Sequence, residues 1–138
     1  MRIVADTNII ISAFFLRGSP RRIIDAARDD IIELYTSNAL LTEIESVLSR
    51  KKFKEHIRSL NSNVDDLIAG FSLLSTIVEP YHIEPVIKRD PVDDQVLACA
   101  LAAECEIIVS GDDHLLSVKE YRGIRILTAK EFLDELFI

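Results

Sequence analysis

The chain has 138 residues, a formal charge of -7 at neutral pH, 49% hydrophobic residues and 28% charged ones. That is enough chain for one domain with one core, and no apolar run reaches the roughly 20 residues that span a bilayer. The negative balance argues against a protein that holds nucleic acid by overall charge alone.

The predicted elements alternate strand and helix. Ile3, Val4 and Ala5 form a short apolar run that ends on Asp6, Thr7 and Asn8. This reads as a buried strand carrying a carboxylate to its C-terminal end, the edge where ligands sit in open α/β sheets. A helix is expected over 8–16. Arg17-Gly18-Ser19-Pro20 breaks it, and Ser19 as N-cap with Pro20 at the first helical position starts another over 20–28. Residues 31–35 read as a second strand. Ser37 caps a helix to about residue 50, with Leu40, Leu41, Ile44, Val47 and Leu48 on one face. Helices are expected over 51–60 and 64–75, a third strand over 76–79 and an irregular connector over 80–88. Asp90-Pro91 opens a helix to about residue 103, and 106–109 is a fourth strand. The loop Ser110-Gly111-Asp112-Asp113-His114 leads to a helical turn over 115–118. A fifth strand spans 124–127, and Thr128 caps a last helix to about residue 136. Such alternation predicts a parallel sheet with helices on both faces, in a single domain over 1–138 without repeat or linker. Arg2 and Asp6 at the start do not suit a secretory signal. The cysteines, Cys99 and Cys105, are two core thiols rather than a disulfide framework. Together these predict a cytoplasmic protein with no membrane association.

Several acids exceed what local structure needs. Asp6 suits a helix N-cap, yet three polar residues at the end of a buried strand are more than one cap requires. Glu43 sits on the flank of an apolar helix face, where a solvated boundary residue is the ordinary reading. In Asp90-Pro91-Val92-Asp93-Asp94, Asp90 suits the N-cap and Asp93 the third helical position, near free N–H groups and the positive helix end. Asp94 is left over, with Leu97 and Leu101 three and seven residues on, although the helical wheel alone also allows Asp93 as the inward acid. Asp112 repeats the strand-to-acid pattern of Asp6, while Asp113 suits a turn. Carboxylates converging on one sheet edge repel, by about 4 kcal/mol for two unit charges 4 Å apart at an effective dielectric near 20. They therefore call for protons or cations. An open, all-oxygen site suits Mg²⁺ or Mn²⁺; zinc fits less well, because His56, His82 and His114 are isolated in sequence.

Read together, the motifs resemble a PIN domain, of the branch that contains VapC-type toxins of toxin–antitoxin systems and related orphan proteins. They are Val4-Ala5-Asp6-Thr7-Asn8 with Ser12, then Leu41-Thr42-Glu43-Ile44, then Arg89-Asp90-Pro91-Val92-Asp93-Asp94. Val109-Ser110-Gly111-Asp112 and Ile126-Leu127-Thr128 complete the series in order. The resemblance implies a three-layer α/β/α fold with a parallel sheet of about five strands. It implies a metal-dependent endoribonuclease site in which Asp6, Glu43, Asp94 and Asp112 bind Mg²⁺ or Mn²⁺ and carry catalysis. Asn8, Ser110 and Asp93 would support the pocket. It further implies an RNA substrate, an antitoxin partner and a homodimer. Basic residues at Arg17, Arg21, Arg22 and Arg28, or at Arg50, Lys51, Lys52, Lys54 and Arg58, would steer the strand. Two rivals stand beside this reading. One is a catalytically silent module of the same fold that binds RNA or protein and takes up no metal. The other is a phosphatase with Asp6 as nucleophile, disfavoured because Asn8 holds the place of its usual second acid.

Overall fold

The computed structural model describes residues 1–86 and 91–138. Its elements, in chain order, are β1 (Arg2–Ala5), α1 (Thr7–Phe15), α2 (Ser19–Arg28), β2 (Glu33–Thr36) and α3 (Asn38–Leu48). A 3₁₀ turn (Lys51–Phe53) then leads into α4 (Lys54–Ser59), α5 (Val64–Leu74) and β3 (Ser75–Ile77). After the connector come α6 (Pro91–Ala102), β4 (Ile107–Val109), α7 (Asp113–Val118), β5 (Glu120–Tyr121), β6 (Ile124–Leu127) and α8 (Ala129–Leu136). The six strands form one sheet in the order β3-β2-β1-β4-β6-β5. Five run parallel, as expected; the sixth, β5, pairs antiparallel with β6.

The order of the strands positions the site. From β1 the chain builds outward through β2 to β3, then returns past β1 to lay down β4 on its other side. Connections therefore diverge between β1 and β4, and a crevice opens at their C-terminal ends. The register places Ala5 opposite Val109. Asp6 then donates its N–H to the Val109 carbonyl at 3.0 Å, so the two strands end level.

Both sheet faces are covered. Ile3, Ala5, Ile107 and Val109 join residues of α1, α2, α3 and α8 in one apolar cluster. Val4, Ile108 and Ile126 join Val96, Leu97 and Ala100 of α6 and Leu115 of α7 in the other. Strands buried on both faces are apolar throughout, which is why the two runs ending at Ala5 and Val109 do not alternate.

Three local expectations change. The N-cap of α2 is Gly18, not Ser19; its φ of 133° is a conformation open to glycine, and Ser19 and Pro20 are already helical. The helix expected over 51–60 is split into the 3₁₀ turn and α4. The short β5 was not anticipated: it forms because Arg122 (φ 48°) and Gly123 (φ 84°) make a two-residue hairpin turn that folds Tyr121 against Ile124. The capping role expected for Asp90 falls on a residue outside those described.

Candidate active site

A cleft of about 230 Å³ lies at the C-terminal ends of β1 and β4. Asp6, Glu43, Asp93 and Asp112 line it, with Thr7, Asn8 and Arg50. Four carboxylates from four separate stretches of chain thus face one space at the point where the sheet topology reverses.

Asp6 is 5% exposed. It does cap α1, accepting the Ile9 N–H on Oδ1 at 3.0 Å. Its other oxygen accepts the Ser110 hydroxyl and, at 3.3 Å, the Gly111 N–H. Burial nevertheless pushes the Asp6 carboxyl above its ordinary range, against the pull of those donors, and the nearby Asp112 charge adds to the rise. The cap and the cleft lining are therefore both true of one side chain.

Ser110 is fully buried and accepts the Asp112 N–H at 2.9 Å while donating to Asp6. Asp112 caps α7 through the His114 N–H at 3.0 Å. Its carboxyl is held below the usual range, chiefly by a hydrogen bond with the Asp93 carboxyl.

Asp93 takes the place expected for Asp94. Val96, Leu97 and Ala100, at three, four and seven residues from Asp93, are all buried to 1% or less, and Asp93 itself is 6% exposed. Counting from Asp94 through Leu97 and Leu101 misjudged the helix, because Leu101 is only half-buried. Asp94 does not line the cleft; it accepts the Val86 N–H of the connector at 3.1 Å.

The other expected residues fall as follows. Glu43 is half-buried on the flank of α3 and lines the cleft; Asn8 lines it from an exposed position. Asp113 begins α7, exposed and outside the cleft lining. Arg21 and Arg28 line a different furrow and pair with Asp25 at 3.8 and 3.6 Å. His114, isolated in sequence, has a ring nitrogen within 4.8 Å of carboxylate oxygens of Asp93 and Asp112. Its position one residue after an acid pair gave no sign of this. Thr7 was read only as part of a polar end, yet its buried Oγ1 has no hydrogen-bond partner among the described residues while the residue lines the cleft.

These observations fit a divalent cation. The donors are mainly oxygens, one a hydroxyl with no hydrogen bond of its own, and the acids are more numerous than capping requires. A cation would offset both the desolvation of Asp6 and the crowding of Asp93 and Asp112.

Fold and cleft together define an α/β protein with an acidic site at the switch point of a parallel sheet. A family model for the PIN domain matches residues 2–114, and the chain belongs to that family. An uncharacterized protein of Methanocaldococcus jannaschii is 28% identical over 144 residues, covering 98% of this chain and 91% of that protein. Among solved structures, VapBC2 from Rickettsia felis, bound to a DNA fragment from their promoter, aligns with a TM-score of 0.60 at 14% identity. That alignment covers 91% of this chain and 97% of the other, and the likeness is one of fold.

Proposed function

We propose that the protein is a divalent-metal-dependent endoribonuclease, with residues 1–138 as one nuclease domain. The observation that carries this reading is the meeting of Asp6, Glu43, Asp93 and Asp112 in one cleft at the β1–β4 switch point. Membership of the PIN domain family supports it.

Asp6, Asp93 and Asp112 would hold Mg²⁺ or Mn²⁺, with Glu43 beside them and the Thr7 hydroxyl within the same cleft. Such an ion, when bound, lowers the pKa of water and offsets charge on a phosphodiester. The remaining work belongs to the chain. Ser110 and the Gly111 N–H fix the Asp6 carboxylate in one orientation, so that its free lone pairs address the cleft. Asp93 and Asp112, side by side in the cleft, would serve as ligands in their charged forms, so uptake of the ion would favour their deprotonation. Glu43, half-buried on the cleft wall, is placed to accept a proton from attacking water.

The biological setting we infer is a toxin–antitoxin module, in which an antitoxin protein would hold this chain silent. The support is the fold likeness to a structure of a VapBC pair. Incubating the purified protein with single-stranded RNA and Mn²⁺ tests the activity. Cleavage by wild type and none by Asp6→Asn supports it; equal cleavage by both removes it.

A further inference from the structure

Among the described residues, Arg50 is the one cation lining the acid cleft, and it also lines a second groove of about 350 Å³. The groove runs along the 3₁₀ turn and α4. Lys51, Lys54 and Arg58 line it with Arg50, and among the described residues no carboxylate does. All four cations are exposed. Among the described residues only Arg58 has an acidic partner, Glu55 at 3.2 Å, on the same helix. Clustering four cations in a chain of net charge -7, while four of the other seven described arginines pair with acids, concentrates positive charge at this groove. Leu48 and Ile57, both buried, close its floor, and Ser62 and Asn63 add polar groups to its wall.

The geometry points to this groove as the track for the phosphate backbone of a single nucleic-acid strand, with Arg50 at its junction with the acid cleft. The inference rests on the nuclease reading for the identity of the strand. Its own support is the shared residue: a strand with one phosphodiester among the acids must lead away from them, and the groove that meets the cleft at Arg50 offers cations to the phosphates that follow. Arg17, Arg21, Arg22 and Arg28 do not line the cleft or this groove. A strand held mainly by such contacts is tolerant of sequence, and its binding weakens with salt by about 0.7 in logarithmic slope per phosphate neutralised.

The test is fluorescence anisotropy of a 5′-labelled oligouridine against the full chain in EDTA, across a salt series, so that binding is read without cleavage. Wild type should bind with a salt slope that Arg50→Ala/Lys54→Ala lowers by about 1.4, the sum for two contacts. Arg21→Ala/Arg28→Ala removes the same charge elsewhere and should leave the slope unchanged. Lys54→Glu, an exposed single change, checks the result if the double variant misfolds, and should weaken binding more than Lys54→Ala. Equal slopes for wild type and the groove variants, equal losses in the Arg21/Arg28 control, or no binding by wild type would overturn the assignment. So would equally tight, equally variant-sensitive binding of a labelled polyglutamate, which would mark the groove as a seat for acidic protein. Groove-dependent binding without Mn²⁺-dependent cleavage would leave the track standing and remove the nuclease reading instead.

Discussion

Ser110 and Asp6, 104 positions apart in the chain, are joined by a buried hydrogen bond from the serine hydroxyl to the aspartate carboxylate. The same hydroxyl accepts the Asp112 N–H at 2.9 Å. One small side chain thus ties the end of β1 to the loop after β4 and sets two acids of the cleft relative to each other. Serine is suited to this because its hydroxyl donates and accepts at once in a position that is fully buried.

Replacing Ser110 by Ala removes a donor to a buried carboxylate and leaves the Asp112 N–H without its acceptor. Hydrogen bonds to charged groups contribute about 1.5–3 kcal/mol, so Ser110→Ala should lower unfolding stability by that order at neutral pH. The loss should shrink as the solution is acidified, because the bond favours the charged form of Asp6 and matters less once that carboxyl is protonated. Urea unfolding at neutral and acidic pH measures both effects.

Asp6→Asn should make the metal-free protein more stable at neutral pH while abolishing cleavage. Burial raises the Asp6 carboxyl above its unfolded value, so the folded state holds the proton more tightly than the unfolded chain does. The stabilisation from the protonated form is complete below the unfolded pKa and is lost as pH rises through the higher folded value. At neutral pH the wild type therefore carries a buried charge that Asn lacks, while the Asn oxygen can still cap α1 and its amide can donate to Ser110. Thermal melts in EDTA should show a higher midpoint for the variant, and added Mn²⁺ should raise the wild type alone. A lower midpoint for Asp6→Asn in EDTA would mean that its hydrogen bonds outweigh the desolvation.

Asp93 and Asp94 make the sharpest pair for mutation. Loss of an outer-shell partner typically costs about 10–100-fold in metal affinity, and Asp93→Asn, which would remove a proposed ligand, should cost at least that much by calorimetry with Mn²⁺. Asp94→Asn should leave Mn²⁺ affinity close to wild type, its effect being confined to the connector at Val86. The same titrations, repeated in buffers of different ionisation enthalpy, should show proton release on metal binding by wild type, because burial holds the Asp6 carboxyl above its ordinary range.

Cys99 and Cys105 are buried free thiols, and burial pushes both up to about 12. They should resist iodoacetamide at pH 8 in the folded protein and react at a rate set by unfolding. Mass spectrometry of the alkylated protein with and without urea checks this; rapid labelling of the native protein would contradict the packing of α6 against the sheet.

Much of the fold was legible because its signals are local. Ile107, Ile108 and Val109 form a short apolar run of the kind a strand buried on both faces uses, and Ser37 and Thr128 cap α3 and α8 as the sequence suggests. The two-residue β5 carries no periodicity of its own; only Gly123 before the alternating Ile124-Arg125-Ile126 hinted at a hairpin. Sequence also led to three of the four acids in the cleft. For the fourth the sequence left Asp93 and Asp94 both open, because a helical wheel assigns a face but not its edge; burial and the cleft lining favour Asp93. Arg50 reaches the cleft, and His114 approaches Asp93 and Asp112, through long-range placement that no short motif encodes.

The central claim is that the four acids of the β1–β4 cleft take up a divalent ion and cleave RNA with it. The most direct measurement is cleavage of a labelled single-stranded RNA in Mn²⁺ and in EDTA by wild type, Asp93→Asn and Asp94→Asn. The account predicts Mn²⁺-dependent cleavage by wild type and Asp94→Asn, and none by Asp93→Asn. Cleavage that persists in EDTA, or that survives Asp93→Asn, would contradict it.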